Sequence, residues 1–79
     1  MPNRPSKKPV DPWLKLVGDN LRTARKAAGL TQEKLAELAD LAPRTIQKIE
    51  AGRITILITT LRRIRKVLGC PYQSLLGDK

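Results

Sequence analysis

The sequence predicts an all-α protein, a compact bundle of about five helices, and three observations carry this prediction. Apolar residues make up 41% of the 79 residues and aromatic residues only 3%, with no Phe, so the core must consist of Leu, Ile, Val and Ala. Apolar residues recur at helical spacing over most of the chain. The one β-branched stretch, residues 54–60, has no second strand with which to pair. A chain of this length has room for one small domain.

The N-terminal part divides into an arm and a first helix. Residues 1–12, MPNRPSKKPVDP, hold four of the six prolines and three basic residues, so they are predicted to form a flexible basic arm before a domain at 13–79. The segment WLKLVGDNLRTARKAAG then places apolar residues at helical spacing, and Gly29 ends it. Gly18 weakens the first turns of this helix, which could therefore begin as late as Asp19.

Two short helices follow. Thr31 is suited to be the N-cap of QEKLAELAD, whose inward-facing residues are expected to be Leu35, Leu38 and Ala39. After a three-residue turn, residues 40–42, the stretch LAPRTIQKIEAG indicates another helix, because proline is favoured in a first helical turn and glycine just past a helix end. One face of that helix is apolar, and the other carries long polar side chains.

The C-terminal part is predicted to be a loop that runs into a helix. In RITILITTLRRIRKVLG the first residues favour a strand and the later ones a helix, and Gly69 closes it. Ile58 and Leu57 are expected to begin this helix as core residues. Pro71 starts a last short turn, PYQSLL, and the single cysteine, Cys70, is interpreted as a small buried apolar residue.

The charge of the chain indicates a polyanionic partner. The net charge is +9, from 16 basic and 7 acidic residues, which favours nucleic acid over a membrane surface; a charged surface that serves solubility is the alternative. The excess lies outside residues 31–52, which carry three basic and four acidic residues. With no His, one Cys and no glycine-rich phosphate loop, we expect no catalysis, cofactor or metal. No signal sequence or membrane-spanning run is present, so a cytoplasmic protein is expected.

Residues 31–52, TQEKLAELADLAPRTIQKIEAG, resemble the helix-turn-helix of the phage-repressor and Cro family (XRE-type DNA-binding transcriptional regulators). With its flanks the resemblance covers about residues 19–76, and it implies a lambda-repressor-like DNA-binding domain. The motif needs a small residue where its helices cross, which Ala36 supplies, and apolar residues on both sides. The chain departs from the family in four places: Asp40 replaces a turn glycine, Ala42 a Ser or Thr cap, and Arg65 an alanine, while a loop that is commonly polar is apolar here, with Ile54, Ile56 and Leu57. The Arg65 guanidinium is expected in solvent.

The resemblance implies roles for individual residues. In the family the second helix, here residues 43–51, lies in the DNA major groove, where Arg and Lys suit guanine and Gln suits adenine. Base contacts are therefore expected from Pro43, Arg44, Thr45, Gln47 and Lys48, and phosphate contacts from Thr31, Gln32 and Arg53. Arg25 and Glu50 match a helix-to-helix ion pair and are assigned to structure. The alternative for the polar face is an ordinary solvated surface.

These roles suggest a sequence-specific regulator of transcription that binds double-stranded DNA, a repressor acting as a homodimer and associated with a prokaryotic or phage nucleoid. Its dimer surface is expected at Ile54 and Ile56, joined by Tyr72 and Leu76, unless the loop folds back and buries the two isoleucines. An antitoxin or adaptor that holds a partner protein and autoregulates through DNA binding is the alternative function. A general RNA or nucleic-acid binder lacks an aromatic stacking platform.

Overall fold

The structure, a computed structural model, describes residues 11–77 and confirms the all-α bundle. Five helices and no strand are found in this part of the chain: α1 (Pro12–Ala27), α2 (Gln32–Ala39), α3 (Pro43–Glu50), α4 (Ile58–Leu68) and α5 (Tyr72–Leu76). Most of the predicted basic arm, residues 1–10, lies outside the described residues. No helix between residues 11 and 77 is long and apolar enough to cross a membrane.

The first helix starts at the early end of the range that the sequence predicted. Asp11 caps α1, since its Oδ1 accepts a hydrogen bond of 2.8 Å from the Trp13 N–H, and Pro12 occupies the first turn. The helical pattern predicted from Trp13 onward is therefore confirmed, and the helix does not wait until Asp19, the latest start that the sequence allowed. Gly18 lies buried inside the helix, where a Cβ would meet the carbonyl oxygen of Ile49 and would lie 2.7 Å from that of Glu50. This glycine lets α1 approach the end of α3 closely.

The helix-turn-helix accommodates both of its departures from the family pattern. Thr31 caps α2, its Oγ1 accepting a 3.0 Å hydrogen bond from the Lys34 N–H. Asp40 adopts the left-handed conformation with φ 59° and ψ 50°, which the usual glycine would take without strain. Ala42 gives α3 no side-chain cap, and Pro43, which has no N–H to satisfy, is the first residue of that helix.

The core is aliphatic and fixes α3 from several sides. Helix α1 packs against α3 and α5, while α2 packs against α3 and α4. The central cluster consists of Leu21, Leu35, Ala36, Ala39, Ile46, Ile49, Ile64 and Leu75. Leu38, predicted to face inward, is 51% exposed, so that expectation is wrong. The buried face of α2 is centred on Leu35, Ala36 and Ala39, and Leu38 lies to one side of it.

The loop before α4 folds back onto the core, which is the alternative that the sequence left open for Ile54 and Ile56. Ile58 and Leu57 are 80% and 67% exposed, so their predicted place in the core is wrong. Ile54 and Ile56 are half-buried and pack against the core instead. Side chains of an extended segment point alternately to opposite sides, and here residues 54 and 56 take the inner side while 55 and 57 take the outer one.

Arg65 is also placed differently from the sequence prediction. Its guanidinium lies over the ring of Tyr72, 4.6 Å from the ring centre, and Nη1 is 3.4 Å from the Cys70 carbonyl oxygen. Its Nε is buried and has no hydrogen-bond partner among the described residues. The guanidinium therefore joins α4 to α5 by a cation–π contact.

Candidate nucleic-acid interface

The outer face of α3, defined as Pro43, Arg44, Thr45, Gln47 and Lys48, is directed away from the core. Thr45 is half-buried, and the other four residues are exposed. On the opposite side of the helix, Ile46 and Ile49 are almost fully buried. The ion pairs found within residues 11–77 involve neither Arg44 nor Lys48. The helix thus presents two cationic side chains, one turn apart, on a rigidly anchored support.

The C-terminal end of α3 is fixed by a buried carboxylate. Glu50 is fully buried, and Arg25 of α1 is 8% exposed. Arg25 donates from Nε to Glu50 Oε2 at 2.6 Å and from Nη2 to Oε1 at 3.1 Å. Gln32 of α2 donates from Nε2 to Oε1 at 3.0 Å, and Arg22 of α1 lies 3.4 Å from that oxygen through Nε. These four residues, called the Glu50 cluster below, join α1, α2 and α3.

The Glu50 cluster holds its central pair in the charged state. Burial raises the pKa of Glu50, but the hydrogen bonds from Arg25 and Gln32, together with the charge of Arg25, outweigh burial and leave that pKa below its ordinary value. The hydrogen bond with Glu50 raises the pKa of Arg25 above its ordinary value. The orientation of α3 therefore depends on an ion pair that is largely withdrawn from water.

The lowered pKa of Glu50 predicts a pH-dependent contribution to stability. A carboxylate with a depressed pKa stabilises the fold fully above its pKa in the unfolded chain, about 4.3, and loses that contribution as the pH falls through the folded value. The difference in unfolding free energy between the wild type and Glu50→Gln should therefore shrink as the pH falls below about 4. Denaturation over a pH series measures it; a difference that stays constant would contradict the charged state of Glu50.

The predicted phosphate contacts lie at two neighbouring places around the cluster. Thr31 and Gln32 are at the start of α2, where the Thr31 hydroxyl already caps the helix and the Gln32 amide donates to Glu50. Arg53 follows α3 directly, is exposed, and donates its backbone N–H to the Lys48 carbonyl oxygen at 2.9 Å. Glu50 thus links the start of α2 to the end of α3.

Sequence reasoning missed Arg22. Its side chain is 44% exposed, so it is the outermost member of the Glu50 cluster. Its position on α1, one turn before Arg25, was the available signal, because residues three apart share a helix face.

The residues proposed for a dimer surface are only partly accessible. Ile54 and Ile56 pack against the core, and Leu76 is half-buried. Tyr72 is 41% exposed but lies beneath Arg65. The side chains of Trp13, Leu57 and Ile58 are more exposed, and two of them, Trp13 and Ile58, line one cavity together with Leu76.

Similarities to known proteins extend over this whole region. A family model described as helix-turn-helix (HTH_3) matches residues 21–75. The chain is 38% identical over 61 residues to RghRB, an uncharacterized HTH-type transcriptional regulator of Bacillus subtilis (strain 168). It is 32% identical over 63 residues to the immunity repressor protein of Bacillus phage phi105. These alignments cover 76% and 80% of this chain but 44% of each relative, so the chain spans less than half of their length.

Among solved structures, the fold is similar to that of the restriction-modification controller protein C.AhdI from Aeromonas hydrophila. The TM-score is 0.75 at 29% sequence identity, over 78% of this chain and 94% of that one.

Proposed function

The chain belongs to the helix-turn-helix family, and on that premise we propose that it is a sequence-specific regulator of transcription that binds double-stranded DNA through α3. The observation that supports this most is the asymmetry of α3. Its inner side is anchored by Ile46, Ile49 and the Glu50 cluster, while Arg44 and Lys48 are exposed and unpaired among the described residues. A helix held in this way can present its outer face to the major groove.

Base contacts are assigned to the outer face of α3. Arg44 and Lys48 have the donors that guanine O6 and N7 accept, and Gln47 between them can pair with adenine. Pro43 and Thr45 lie at the N-terminal end of the helix, which approaches the base edges most closely in this docking geometry. The exposure of the outer face of α3 and the helical spacing of its five residues support these assignments.

Phosphate contacts are assigned to the flanks of α3. Gln32 and Thr31 at the start of α2 are near the positive end of a helix dipole, and Arg53 adds a charge just after α3. The net charge of +9, whose positive excess lies entirely outside residues 31–52, supplies a salt-sensitive attraction to the DNA backbone.

We further propose that the protein acts as a repressor and as a homodimer in the cytoplasm, on the nucleoid. The similarity to a phage immunity repressor supports the sign of regulation. One helix-turn-helix contacts few bases, and a dimer that places two copies of α3 one DNA turn apart, about 34–36 Å, doubles the contacts.

Selection of bound sequences from random duplex DNA tests this function. We expect an enriched, nearly palindromic site whose half-sites are about 10 base pairs apart. The double variant Arg44→Ala, Lys48→Ala should lose this enrichment. Arg62→Ala, Lys66→Ala removes the same residue types at the same spacing from the exposed surface of α4 and should keep it. Failure of the wild type to enrich any sequence would contradict the proposal.

The phosphate assignments predict effects that do not depend on sequence. Gln32→Ala should weaken binding to the selected site and to unrelated duplexes by about the same factor, because phosphates are identical in both. Arg53→Ala should also make the negative slope of log affinity against log salt less steep, by about 0.9. Binding measured over a salt series checks both expectations, with Gln47→Ala as the matched glutamine that should change base preference. A preference change in Gln32→Ala would count against its assignment.

A further inference from the structure

A groove lies between the end of α2 and the second half of α4, on a part of the surface to which the proposed function gives no role. It has a volume of about 480 Å³. Its apolar wall is formed by Leu38, Ala39 and Val67, and its polar rim by Asp40, Arg63 and Lys66. This surface is called the α2–α4 groove below.

Leu38 is the most accessible apolar residue of the α2–α4 groove. Its side chain is 51% exposed, whereas Ala39 is buried in the core and Val67 is half-buried. An exposed leucine at the edge of a hollow keeps apolar surface in contact with water, and an apolar side chain laid against it would remove that surface from water. The groove therefore favours an occupant that carries an aliphatic or aromatic side chain.

The cations beside the groove have no acidic partner among residues 11–77. Helix α4 contains four basic residues and no acidic one. Arg65 is held against α5, but Arg62, Arg63 and Lys66 are exposed and take part in none of the ion pairs found in this part of the chain. Asp40 is the one acidic residue of the lining, so cations outnumber carboxylates there. Charge complementarity therefore favours an occupant that bears carboxylates.

Arg63 is oriented towards the groove by the turn between α2 and α3. Its Nη1 lies 3.4 Å from the backbone carbonyl oxygen of Asp40. This contact uses only one N–H of a guanidinium, so its other donors are available to a carboxylate, which arginine can bind through two parallel hydrogen bonds. Lys66, one turn further along α4, supplies a second charge at the same rim.

From these features we propose that the α2–α4 groove binds an acidic, amphipathic segment of a partner protein, with an apolar side chain against Leu38 and carboxylates against Arg63 and Lys66. The apolar wall favours such a segment over DNA, because contact with phosphates uses charge and needs no exposed leucine. Position favours it as well, since the proposed phosphate contacts are at the start of α2, and the two ends of this 8-residue helix are about 12 Å apart. The inference goes beyond the proposed function and does not depend on it.

Selection from a random library of phage-displayed peptides, with the full chain as bait and without DNA, tests the proposal. We expect the enriched peptides to combine acidic residues with a leucine, isoleucine or phenylalanine. The affinity of the most enriched sequence, made as a synthetic peptide, is then measured by fluorescence anisotropy. Replacing its acidic residues by their amides, or its apolar residue by serine, should each weaken binding by about tenfold or more, because each change removes one of the two kinds of contact.

Variants of the chain locate the binding site of this peptide. Leu38→Ser keeps every charge, and Arg63→Gln with Lys66→Gln keeps the apolar wall; each should weaken binding by about tenfold. Leu38, Arg63 and Lys66 are exposed, so the fold should tolerate these changes. Two control variants make the same kinds of change at exposed positions elsewhere: Leu57→Ser, and Arg44→Gln with Lys48→Gln. Both controls should bind the peptide within about twofold of the wild type, since charges farther away than a Debye length are largely screened.

Several results would overturn the proposal: a selection that enriches no peptides of this composition, an affinity that Leu38→Ser leaves unchanged, which would mean attraction by charge alone, or an equal loss of affinity in the control variants. DNA is the competing source of negative charge. If Arg63→Gln with Lys66→Gln made the slope of log affinity for duplex DNA against log salt less steep by about 1.8, this rim would contact two phosphates, and the assignment to a protein segment would be refuted. Because the peptide measurements contain no DNA, a failure of site selection would refute the proposed function and leave them unaffected.

Discussion

Replacing Glu50 by alanine is expected to lower the free energy of unfolding by about 3–5 kcal/mol. The substitution leaves the Arg25 guanidinium at 8% exposure, without the carboxylate that accepts two of its hydrogen bonds. A buried charge without a partner keeps the cost of desolvation and loses the attraction that offset it. Gln32 and Arg22 lose an acceptor as well, so the effect should reach all three helices that meet at Glu50.

Two comparisons separate this mechanism from a general loss of side-chain contacts. Glu37→Ala makes the same substitution on the surface, where the pair with Lys34 spans 3.5 Å and Glu37 is 71% exposed, and its effect should be below about 1 kcal/mol. The double variant Arg25→Met, Glu50→Leu removes both charges and should recover much of the lost stability. Chemical denaturation measures all of them. If Glu50→Ala shifted base preference and left stability unchanged, the assignment of Glu50 to structure would have to be reversed.

Gly18→Ala is expected to destabilise the protein by about 1–3 kcal/mol, although alanine is the better helix former. A Cβ at residue 18 would meet the backbone carbonyls of Ile49 and Glu50, and backbone atoms cannot move aside as a side-chain tip can. Helix α1 would have to separate from the end of α3. The Glu50 cluster spans this same junction, so the change should also disturb the orientation of α3.

Whether Gly18→Ala lowers or raises the free energy of unfolding distinguishes the steric role of Gly18 from a simple effect of helix propensity. Helix propensity alone predicts that alanine stabilises an exposed helix interior by about 1 kcal/mol relative to glycine. Thermal and chemical unfolding of Gly18→Ala therefore distinguish the two expectations, because they differ in the sign of the change in stability. A rise in stability would mean that α1 and α3 are not in close contact at this point.

The helices and the helix-turn-helix could be predicted because their signals are local. These signals do not depend on distant parts of the chain: apolar residues recur at helical spacing, Thr31 is suited to cap a helix, and glycines follow three of the predicted helices. Gly18 shows where local signals fail. Within α1 a glycine indicates a weak helix, and its structural role is seen only when α3 is present, because a Cβ at residue 18 would meet the end of α3. The same holds for Arg65, whose position over Tyr72 depends on how α5 returns to α4.

The segment from Ile54 to Ile58 was the hardest to predict, for a physical reason. An extended stretch alternates its side chains, so either the even or the odd positions can face the core, and the sequence offers apolar residues in both sets. The packing of Ile54 and Ile56 settles that choice and leaves Leu57 exposed. For the outer face of α3, the sequence alone gives the residue types, and the resemblance to the family implies that they contact DNA. The structure adds that these side chains are exposed and that the opposite side of the helix is buried in the core.

Reading of bases by Arg44 is tested most directly by a cycle that pairs Arg44→Ala with substitution of single base pairs in the selected site. Affinities are measured for wild type and variant on the original and the substituted DNA, so that effects on folding or overall charge cancel. We expect Arg44→Ala to lose about 1–3 kcal/mol on the preferred site and to lose discrimination at one base pair while keeping it at the others. An equal loss on every sequence, or no loss at all, would contradict the placement of α3 in the major groove.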